Sequence, residues 1–289
     1  MANPLAQYQK NIVSQHGEDG IIEEIFNRIG TTNKWCVEFG ALNGKHHSNV
    51  WDLIVNKSWC GVLIEADKTY YDKIAAAYDG ATERIVTLNR FVSFEGPDKL
   101  DALFVETPLP NEFDFLSIDI DGNDYHVWDA LSAYRPRVVS VEFNPTIPND
   151  IAFVQPRNMS VQQGSSLLAL VELAHTKGYC LATTTFGNAF FVDMAVFDQL
   201  GFKEPSMDEA NPGTEYYTRL YQLYDGTIVL DGYQTLLWHN KPMDAAKMQL
   251  VPKKYVAGIS ASPLIRRTKY LVRKLPVYSY LQKVRKGKS

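Results

Sequence analysis

Acidic side chains at the ends of apolar segments are the groups in this chain best suited to chemistry. After the largely apolar run Phe113–Ile118 the sequence reads Asp-Ile-Asp-Gly-Asn-Asp, which places Asp119, Asp121 and Asp124 within six residues. Carboxylates packed this closely raise one another's pKa unless a cation or hydrogen-bond donors neutralise them. Such a cluster beside a glycine turn is typical of a functional site, so we expect these acids to take part in function.

A second acid, Glu38, lies in the apolar segment Lys34–Phe39, and Gly40 and Gly44 follow it. An apolar strand that runs into a glycine turn is typical of the nucleotide pocket at the first strand of a parallel α/β sheet. Glycine would let the backbone approach a ligand closely because it has no Cβ. The segment matches neither the dinucleotide pattern Gly-x-Gly-x-x-Gly nor a phosphate loop, and a plain tight turn explains it about as well.

The apolar run Gly61–Glu65 also ends in an acid. In open α/β sheets an acid at the end of the second strand accepts hydrogen bonds from the ribose hydroxyls. Glu65 lies about the expected twenty-odd residues beyond Gly40. The position of Glu65 at a strand end and its distance from Gly40 agree. Together they favour a ribose contact over a surface acid without a role.

Oxygen-bearing side chains end a further predicted strand, Arg137–Asn144. An aspartate of the preceding cluster, with Glu142 and Asn144, offers the hard oxygen ligands that Mg²⁺ or Mn²⁺ prefers. The predicted metal ligands are therefore Asp119, Asp121, Glu142 and Asn144. The alternative is that Glu142 only hydrogen-bonds neighbouring backbone.

Two histidines are further candidates for proton transfer. His126 follows the aspartate cluster on a predicted helix, Tyr125–Leu131, which brings it to the same rim. His16 lies in the polar stretch Ser14–Asp19, just before a segment whose apolar residues recur at helical spacing, Ile21–Ile29. That stretch is either the capped start of a surface helix or a lid over the pocket.

The elements that must position these residues alternate between strands and helices. The predicted strands are Lys34–Phe39, Gly61–Glu65, Arg84–Leu88, Phe113–Ile118, Arg137–Asn144, Tyr179–Thr184 and Asn188–Val192. The predicted helices between them are Ser48–Val55, Lys68–Ala77, Asp98–Phe104, Tyr125–Leu131 and Leu167–Lys177. The last two strands read as a hairpin around Phe186-Gly187, an antiparallel pair that closes an otherwise parallel sheet. The predicted fold is α/β, a Rossmann-like sheet of seven strands, mostly parallel with an antiparallel last strand, and with helices on both faces.

The same pattern predicts four segments along the chain: an N-terminal helical lid, the sheet domain, an aromatic-rich extension and a basic tail. They comprise residues 1–30, 31–195, 196–262 and 263–289. Within the extension, Glu215–Tyr224 and Asp231–Trp238 are predicted to be helical or mixed.

Charge is unevenly distributed along the chain. The basic tail, residues 263–289, holds nine basic side chains and no acid, so that the rest of this chain of net charge −4 carries −13. Basic residues that alternate with aliphatic and aromatic ones are typical of an interfacial helix drawn to anionic lipid. A solvated or partner-docked tail is the alternative, and nucleic acid fits less well because the acidic body would repel it.

Composition places the chain among ordinary globular proteins, with 45% apolar and 21% charged residues in 289. The three cysteines lie far apart and offer neither a metal cluster nor a disulfide framework, which favours a reducing compartment. Neither a basic-then-apolar leader nor a bilayer-length apolar run is present. We expect a cytoplasmic protein, or one that is peripheral at the inner face of a membrane.

Four motifs, in this order, resemble the FkbM-type class I S-adenosylmethionine-dependent methyltransferases. They are Ser14-Gln15-His16-Gly17-Glu18-Asp19, Val37-Glu38-Phe39-Gly40 with Asn43-Gly44, Ile118-Asp119-Ile120-Asp121-Gly122, and Val141-Glu142-Phe143-Asn144. The similarity covers about Gln7–Val192. It implies the class I methyltransferase sheet and methyl transfer to a hydroxyl, in many relatives one on a sugar or glycan. Relatives often place a His-Glu pair after the aspartate-glycine turn, whereas Asn123-Asp124 stands here, which leaves the general base open.

The resemblance also implies a set of site residues. The cofactor S-adenosylmethionine would be held by Glu38, Gly40, Ala41, Asn43 and Gly44 at its methionine part, by Glu65 at its ribose, and by Asn89 and Asp119. The catalytic candidates are Asp121, Asp124, His126 and His16. A saccharide acceptor hydroxyl is a poor acid, so a base or a bound Mg²⁺ or Mn²⁺ would have to assist its deprotonation.

Three other functions compete with this interpretation. The Asp-x-Asp-Gly sequence at 119–122 is also found in phosphoryl-transfer enzymes of the haloacid-dehalogenase type, although there it normally opens the fold. A non-catalytic member that uses the fold to bind a partner or a membrane is the second alternative. A nicotinamide oxidoreductase is the third, and the missing glycine spacing argues against it.

Overall fold

The computed structural model describes residues 3–213, 215–250 and 271. The chain divides into two compact units, Met1–Tyr217 and Thr218–Ser289. The predicted basic tail lies outside the described residues except for Leu271, so its interfacial helix stays a prediction. The predicted boundaries of the lid, the sheet domain and the extension also stay predictions.

The first unit is built on a seven-stranded sheet. Its strands are β1 Trp35–Phe39, β2 Cys60–Ile64, β3 Ile85–Leu88, β4 Glu112–Ile118, β5 Arg135–Glu142, β6 Tyr179–Thr184 and β7 Asn188–Asp193. Their order across the sheet is β3-β2-β1-β4-β5-β7-β6. The pairs from β3 to β5 are parallel, and β7 is antiparallel to both β5 and β6. The predicted sheet, with an antiparallel last strand, is confirmed.

Helices cover both faces of this sheet. They are α1 Glu18–Ile29, α2 Trp51–Val55, α3 Lys68–Ala77, α4 Leu100–Phe104, α5 Asp124–Ala130 and α6 Leu167–Lys177, followed by the short α7 Met194–Phe197 and α8 Met207–Ala210. Every apolar residue that predicted α1 is buried. α6 begins where Ser166 Oγ accepts a hydrogen bond from the Ala169 N–H, and it ends at the left-handed Gly178. The predicted bounds of α3 and α6 are confirmed.

Alternation along the strands divides the buried residues into two cores. The α1-side core contains the apolar residues of α1 together with Cys36 and Phe115. The α5-side core contains Val37, Phe39 and the apolar residues of α5 and α6. Because side chains alternate between the faces of a strand, Glu38 projects on the α1 side.

In its described residues, the second unit contains two antiparallel ladders. Strand β8 Thr218–Gln222 pairs with β9 Ile228–Gly232, and β10 Thr235–Leu236 pairs with β11 Lys241–Pro242. Both Glu215–Tyr224 and Asp231–Trp238 were predicted to be helical or mixed. A helix is wrong for the first, which contains β8, whereas the second is mixed, with the end of β9, β10 and the start of a 3₁₀ helix, Leu237–His239. The Asp225 carboxylate accepts from the Thr227 N–H at 2.9 Å and Gly226 is left-handed, so a turn at these residues joins β8 to β9 in a hairpin.

Among the described residues, the helices are all too short or too polar to cross a lipid bilayer.

Candidate active site

The strand order reverses direction between β1 and β4, with β2 and β3 on one side and β5 on the other. In open α/β sheets ligands bind in the crevice outside the carboxyl ends of the strands at such a point. The parallel strands bring most of the predicted site residues to this one edge. They are Glu38 and Gly40 from β1, Glu65 after β2, Asp119 and Asp121 after β4, and Glu142 at the end of β5.

Gly40 joins the turns after β1 and β4. Its φ is +68°, and a Cβ added there would lie 2.5 Å from the backbone oxygen of Asp119. We expected Gly40 to admit a ligand, but the structure shows that the missing side chain lets two backbone segments touch. Gly44 likewise faces protein, since its Cβ would lie 2.9 Å from the ring of Tyr78. Contacts of either glycine with a cofactor stay predictions.

We expect Gly40→Ala to destabilise the fold more than a matched glycine substitution does. Gly80 is also left-handed (φ +78°), but a Cβ there would meet no atom within 4 Å. Gly80→Ala should therefore cost only backbone strain, about 1 kcal/mol, whereas Gly40→Ala should cost about 1–3 kcal/mol more. Urea unfolding of the two variants measures the difference, and equal losses would show that the contact with Asp119 is unimportant.

Glu38 connects the end of β1 to the segment before α2. Ser48 Oγ donates to its Oε2 at 2.6 Å, and the Asn49 N–H donates to its Oε1 at 2.7 Å. The Asn49 amide also donates to Ser117 Oγ on β4 at 3.0 Å. Burial raises the pKa of Glu38 to about 7, although these hydrogen bonds work in the opposite direction. Glu38 is thus a buried acid poised near neutrality beside the crevice.

This raised pKa makes a prediction about stability and pH. Since the pKa of Glu38 is about 7 in the folded state against an ordinary 4.5, the folded state binds the proton more tightly. The resulting stability is fully present below the ordinary pKa and is lost as pH rises through the folded value. Glu38→Gln removes this dependence, so its stability relative to wild type should rise by up to about 3 kcal/mol from acid to mildly alkaline pH. Urea unfolding across that pH range tests this, and a constant difference would contradict it.

Glu65 lies at the end of β2, where it is buried. Its Oε2 accepts from the Leu42 N–H and its Oε1 from the Asp67 N–H, both at 2.7 Å. Asn89 donates its amide to the backbone oxygens of Glu65 and Ala66 at 2.7 and 3.1 Å. Each carboxylate oxygen can accept a second hydrogen bond, so Glu65 remains able to receive ribose hydroxyls.

Ala41 and Asn43 shape the turn that follows β1. The Ala41 N–H donates to the backbone oxygen of Ile64 at 3.3 Å, and the side chain of Ala41 is buried. Asn43 Oδ1 accepts from the N–H groups of Lys45 and His46 at 3.1 and 2.8 Å. Both predicted cofactor contacts therefore lie in an ordered turn at the crevice.

Three acids form a cluster at the ends of β4 and β5. Asp119, Asp121 and Glu142 each offer a carboxylate oxygen, and these atoms all lie within 4.8 Å of one another. Asp121 is held in the left-handed region at φ 56°, a conformation that costs energy for a residue with a Cβ. The strained turn thus points to a function for this cluster.

The electrostatics of the cluster follow from crowding of like charges. Asp119 is exposed, but loss of solvation among the surrounding protein atoms, and then the charges of Asp121 and Glu18, raise its pKa to about 6. Burial, followed by the charge of Asp119, raises the pKa of Glu142 well above its usual range. A cation or a proton is needed to neutralise carboxylates packed in this way.

Asp124 takes part in the turn after β4. Its Oδ1 accepts from the Ile120 N–H at 2.8 Å and its Oδ2 from the Gly122 N–H at 2.9 Å. Burial, and next the charge of Asp119, raise its pKa to about 7. These contacts give Asp124 a structural task in shaping the turn, and its predicted role as a base stays a prediction.

The two candidate histidines contact residues other than the acids of the cluster. His126 Nε2 donates to the backbone oxygen of Gln155 at 2.9 Å, and its ring packs against Phe94. The ring of His16 lies 4.8 Å from that of Phe186. Within the described part of the chain, neither ring hydrogen-bonds to an acid of the cluster. Their catalytic roles stay predictions.

Asn144, a predicted metal ligand, has its side chain engaged elsewhere. Its Oδ1 accepts from the N–H and the Oγ1 of Thr146 at 2.9 and 2.7 Å, and its amide donates to the backbone oxygen of Gln163 at 2.8 Å. Both lone pairs of the amide oxygen are thus used, which leaves none for a metal ion in this arrangement.

Sequence reasoning missed Glu18 as a residue of this site. Glu18 is buried at the start of α1, where its oxygens accept from Thr185 Oγ1 and from the His16 N–H, both at 2.6 Å. Its charge contributes to the raised pKa of Asp119, so α1 begins close to the cluster. The motif contained this acid, but nothing in its local pattern indicated the partner on the distant hairpin.

Comparison with known proteins finds matches among solved structures. No protein-family model matches this chain, and no curated protein matches it significantly. Similar solved structures include an O-methyltransferase from Bacillus cereus in complex with S-adenosylhomocysteine, 18% identical over 66% of this chain and 87% of that one, with TM-score 0.40. A TehB-like SAM-dependent methyltransferase from Corynebacterium glutamicum is 13% identical over 65% of this chain and 92% of that one, with TM-score 0.35.

The methyltransferase domain of bacterial CtHen1 is 13% identical over 61% of this chain and 96% of that one, with TM-score 0.38. Identities and TM-scores this low say nothing about the activity of this chain. The fold itself is the one predicted from the sequence, a seven-stranded Rossmann-like sheet with an antiparallel last strand.

Proposed function

We propose that this chain is an S-adenosylmethionine-dependent methyltransferase. The observation that carries the proposal is the strand order β3-β2-β1-β4-β5-β7-β6 with acids gathered at its switch point. A cofactor across these strand ends would present an ammonium group and two ribose hydroxyls, all hydrogen-bond donors. Carboxylates such as Glu38 and Glu65 suit those donors and would repel a phosphate.

The acceptor in this proposal is a hydroxyl of a sugar or glycan. The FkbM-type motifs support it, and so does the acid cluster at the crevice, because carboxylates accept hydrogen bonds from hydroxyl groups. The sulfonium methyl is already activated, so the chain's task is to align the acceptor oxygen behind it and to remove a proton. Alignment alone accounts for several kcal/mol of a barrier. Asp119, exposed and with a pKa raised to about 6, is the group we assign to receive the proton.

A divalent ion fits the same cluster. Asp119, Asp121 and Glu142 supply hard oxygens within 4.8 Å of one another, and the crowding that raises the pKa of Asp119 and Glu142 is what a cation would relieve. Mg²⁺ or Mn²⁺ bound there would lower the pKa of a sugar hydroxyl. The three carboxylates would hold the ion, and with the ion bound the lowered pKa of the hydroxyl would replace Asp119 as the means of deprotonation.

Titration with S-adenosylmethionine by calorimetry tests the proposal. We expect saturable binding by the wild type and affinity lower by about tenfold or more for Glu65→Gln. The amide NH₂ would oppose one of the two backbone N–H groups that donate to Glu65, and it offers the ribose one acceptor fewer. Glu83→Gln makes the same chemical change at an exposed glutamate and serves as the control. It should bind the cofactor as the wild type does.

Incubation with labelled S-adenosylmethionine and a panel of saccharides, with and without chelator, then identifies the acceptor class. Label transferred to a saccharide hydroxyl supports the finer proposal. Absence of cofactor binding together with turnover of a phosphate ester would replace it with phosphoryl transfer. Absence of both would leave a binding protein.

We also propose peripheral contact with a membrane through residues 263–289. Nine basic side chains without an acid favour anionic lipid headgroups. The second unit supports this with exposed apolar side chains on and beside β8, among them Leu220 and Leu223. Deletion of the basic tail should reduce sedimentation with phosphatidylserine vesicles, and undiminished sedimentation would contradict the proposal.

A further inference from the structure

Asn188, the first residue of β7, has a buried side-chain oxygen that has no partner among the described residues. The residue is 8% exposed, and its Oδ1 accepts no hydrogen bond from the described residues. Buried polar atoms in folded proteins nearly always have a partner, so a missing one calls for an explanation. An unoccupied amide oxygen is suited to a hydrogen-bond donor or to a cation.

The register of the sheet places Asn188 beside the acid cluster. Glu142 and Asn188 are directly opposite each other in the antiparallel pair of β5 and β7. Opposed residues of such a pair project from the same face, with Cβ atoms about 4.5–5.5 Å apart. Phe190, two residues along β7, belongs to the α1-side core, as does Val138 on β5. Both Glu142 and Asn188 therefore project on the α1 side of the sheet.

Asn188 can supply an amide oxygen ligand, which Asn144 cannot. Both lone pairs of the Asn144 oxygen are taken by Thr146. The Asn188 oxygen accepts no hydrogen bond within the part of the chain that the structure describes, and its cross-strand neighbour Glu142 is one of the three clustered acids. A neutral amide also adds an oxygen ligand without adding a fourth negative charge to the cluster.

We propose that Asn188 is an oxygen ligand of a divalent cation held by Asp119, Asp121 and Glu142. The inference rests on the metal site of the proposed function, and it assigns a residue that the sequence motifs do not contain. Mg²⁺ and Mn²⁺ both accept amide oxygens alongside carboxylates. The cation would occupy the space between the ends of β4, β5 and β7.

Calorimetric titration of the full chain with MnCl₂, without cofactor or acceptor, tests this inference. We expect saturable binding by the wild type and about tenfold or weaker binding by Asn188→Leu, which has similar volume and no oxygen. Asn188→Asp keeps an oxygen at the same place and should retain wild-type affinity or exceed it. Asn144→Ala is the matched control and should also retain it. Circular dichroism shows that each variant is folded.

Three results would overturn the inference. They are a wild type that does not bind Mn²⁺, unchanged affinity in Asn188→Leu, and affinity lost in Asn188→Asp. If Asn188→Leu does not fold, the result for Asn188→Asp decides. A titration with S-adenosylmethionine in the presence of chelator separates the two proposals, because retained cofactor binding without Mn²⁺ binding removes the metal site and leaves the methyltransferase.

Discussion

Asp119→Asn should lower the rate of methyl transfer by about 10²- to 10⁴-fold, the usual range for loss of a proton-transfer group, and it should not destabilise the fold. Asp119 lies exposed after β4, beside Asp121 and Glu142, where like charges crowd. Asparagine has nearly the same shape but cannot take a proton, so the chemistry is lost. It also removes one charge from a repelling cluster, so unfolding at neutral pH should require no less urea than for the wild type.

The dependence on pH distinguishes this role from a purely structural one. The pKa of Asp119 is raised to about 6. As a base it acts only when deprotonated, so wild-type kcat measured without a divalent ion, which would itself lower the pKa of Asp119, should rise as pH increases through that value. Stability moves the other way, because a group whose folded pKa is raised contributes most at low pH and loses that contribution as pH rises. The variant should lack both effects.

Asp129→Asn provides the control for these measurements, since Asp129 is an exposed acid on α5. It should leave the rate and its pH profile as in the wild type. An Asp119→Asn protein with wild-type kcat, or with an unchanged acid limb in its pH profile, would show that another group receives the proton.

The strands and the acids at their ends were predictable because both follow from local pattern. An apolar run of strand length that ends in an acid locates that acid at the sheet edge once the strands are known to be parallel. For this reason Glu38, Glu65, Asp119 and Glu142 lie at one edge, as predicted. Glycine, serine and apolar spacing likewise fixed α6, which Ser166 begins and Gly178 ends.

Contacts between segments distant in sequence could not be predicted from local pattern. The motif contained Gly40, but only the sheet shows that the backbone of Asp119 fills the space of its missing side chain. Asn144 and Asn188 are equivalent as residue types, and the pairing of β5 with β7 decides which one faces Glu142 with a free oxygen. The hairpin β8–β9 was missed for a related reason, since strand formation depends on cross-strand partners that local pattern does not show.

We expect Asp114→Ala to reduce the free energy of unfolding by about 3–5 kcal/mol, the range for breaking a buried ion pair. Asp114 is fully buried on β4, and its carboxylate accepts from the backbone N–H groups of Thr32, Asn33 and Lys34 at 2.8–3.0 Å. Arg137 Nη1 donates to it at 3.0 Å. The substitution removes the acceptor of three N–H groups and the carboxylate partner of Arg137, whose guanidinium keeps the backbone oxygens of Ile29 and Gly30 as acceptors. It also loosens the connection between α1 and β1.

A surface pair sets the scale for this loss. Arg90 and Glu106 form an ion pair of 3.3 Å in which both side chains are about half exposed. Glu106→Ala should therefore cost less than about 1 kcal/mol. Urea unfolding compares the two variants, and a loss in Asp114→Ala as small as that in Glu106→Ala would contradict the prediction.

Asp114 lies near the start of β4, whereas the crevice lies beyond its end. The loss should thus be one of stability alone, because the substitution alters no side chain at the switch point. Folded Asp114→Ala should bind S-adenosylmethionine with wild-type affinity at low temperature. Asp119→Asn should show the reverse, with the fold intact and the chemistry lost. These opposite results would assign the two ends of β4 to two tasks, since one aspartate fastens α1 to the sheet while the other reaches the acceptor.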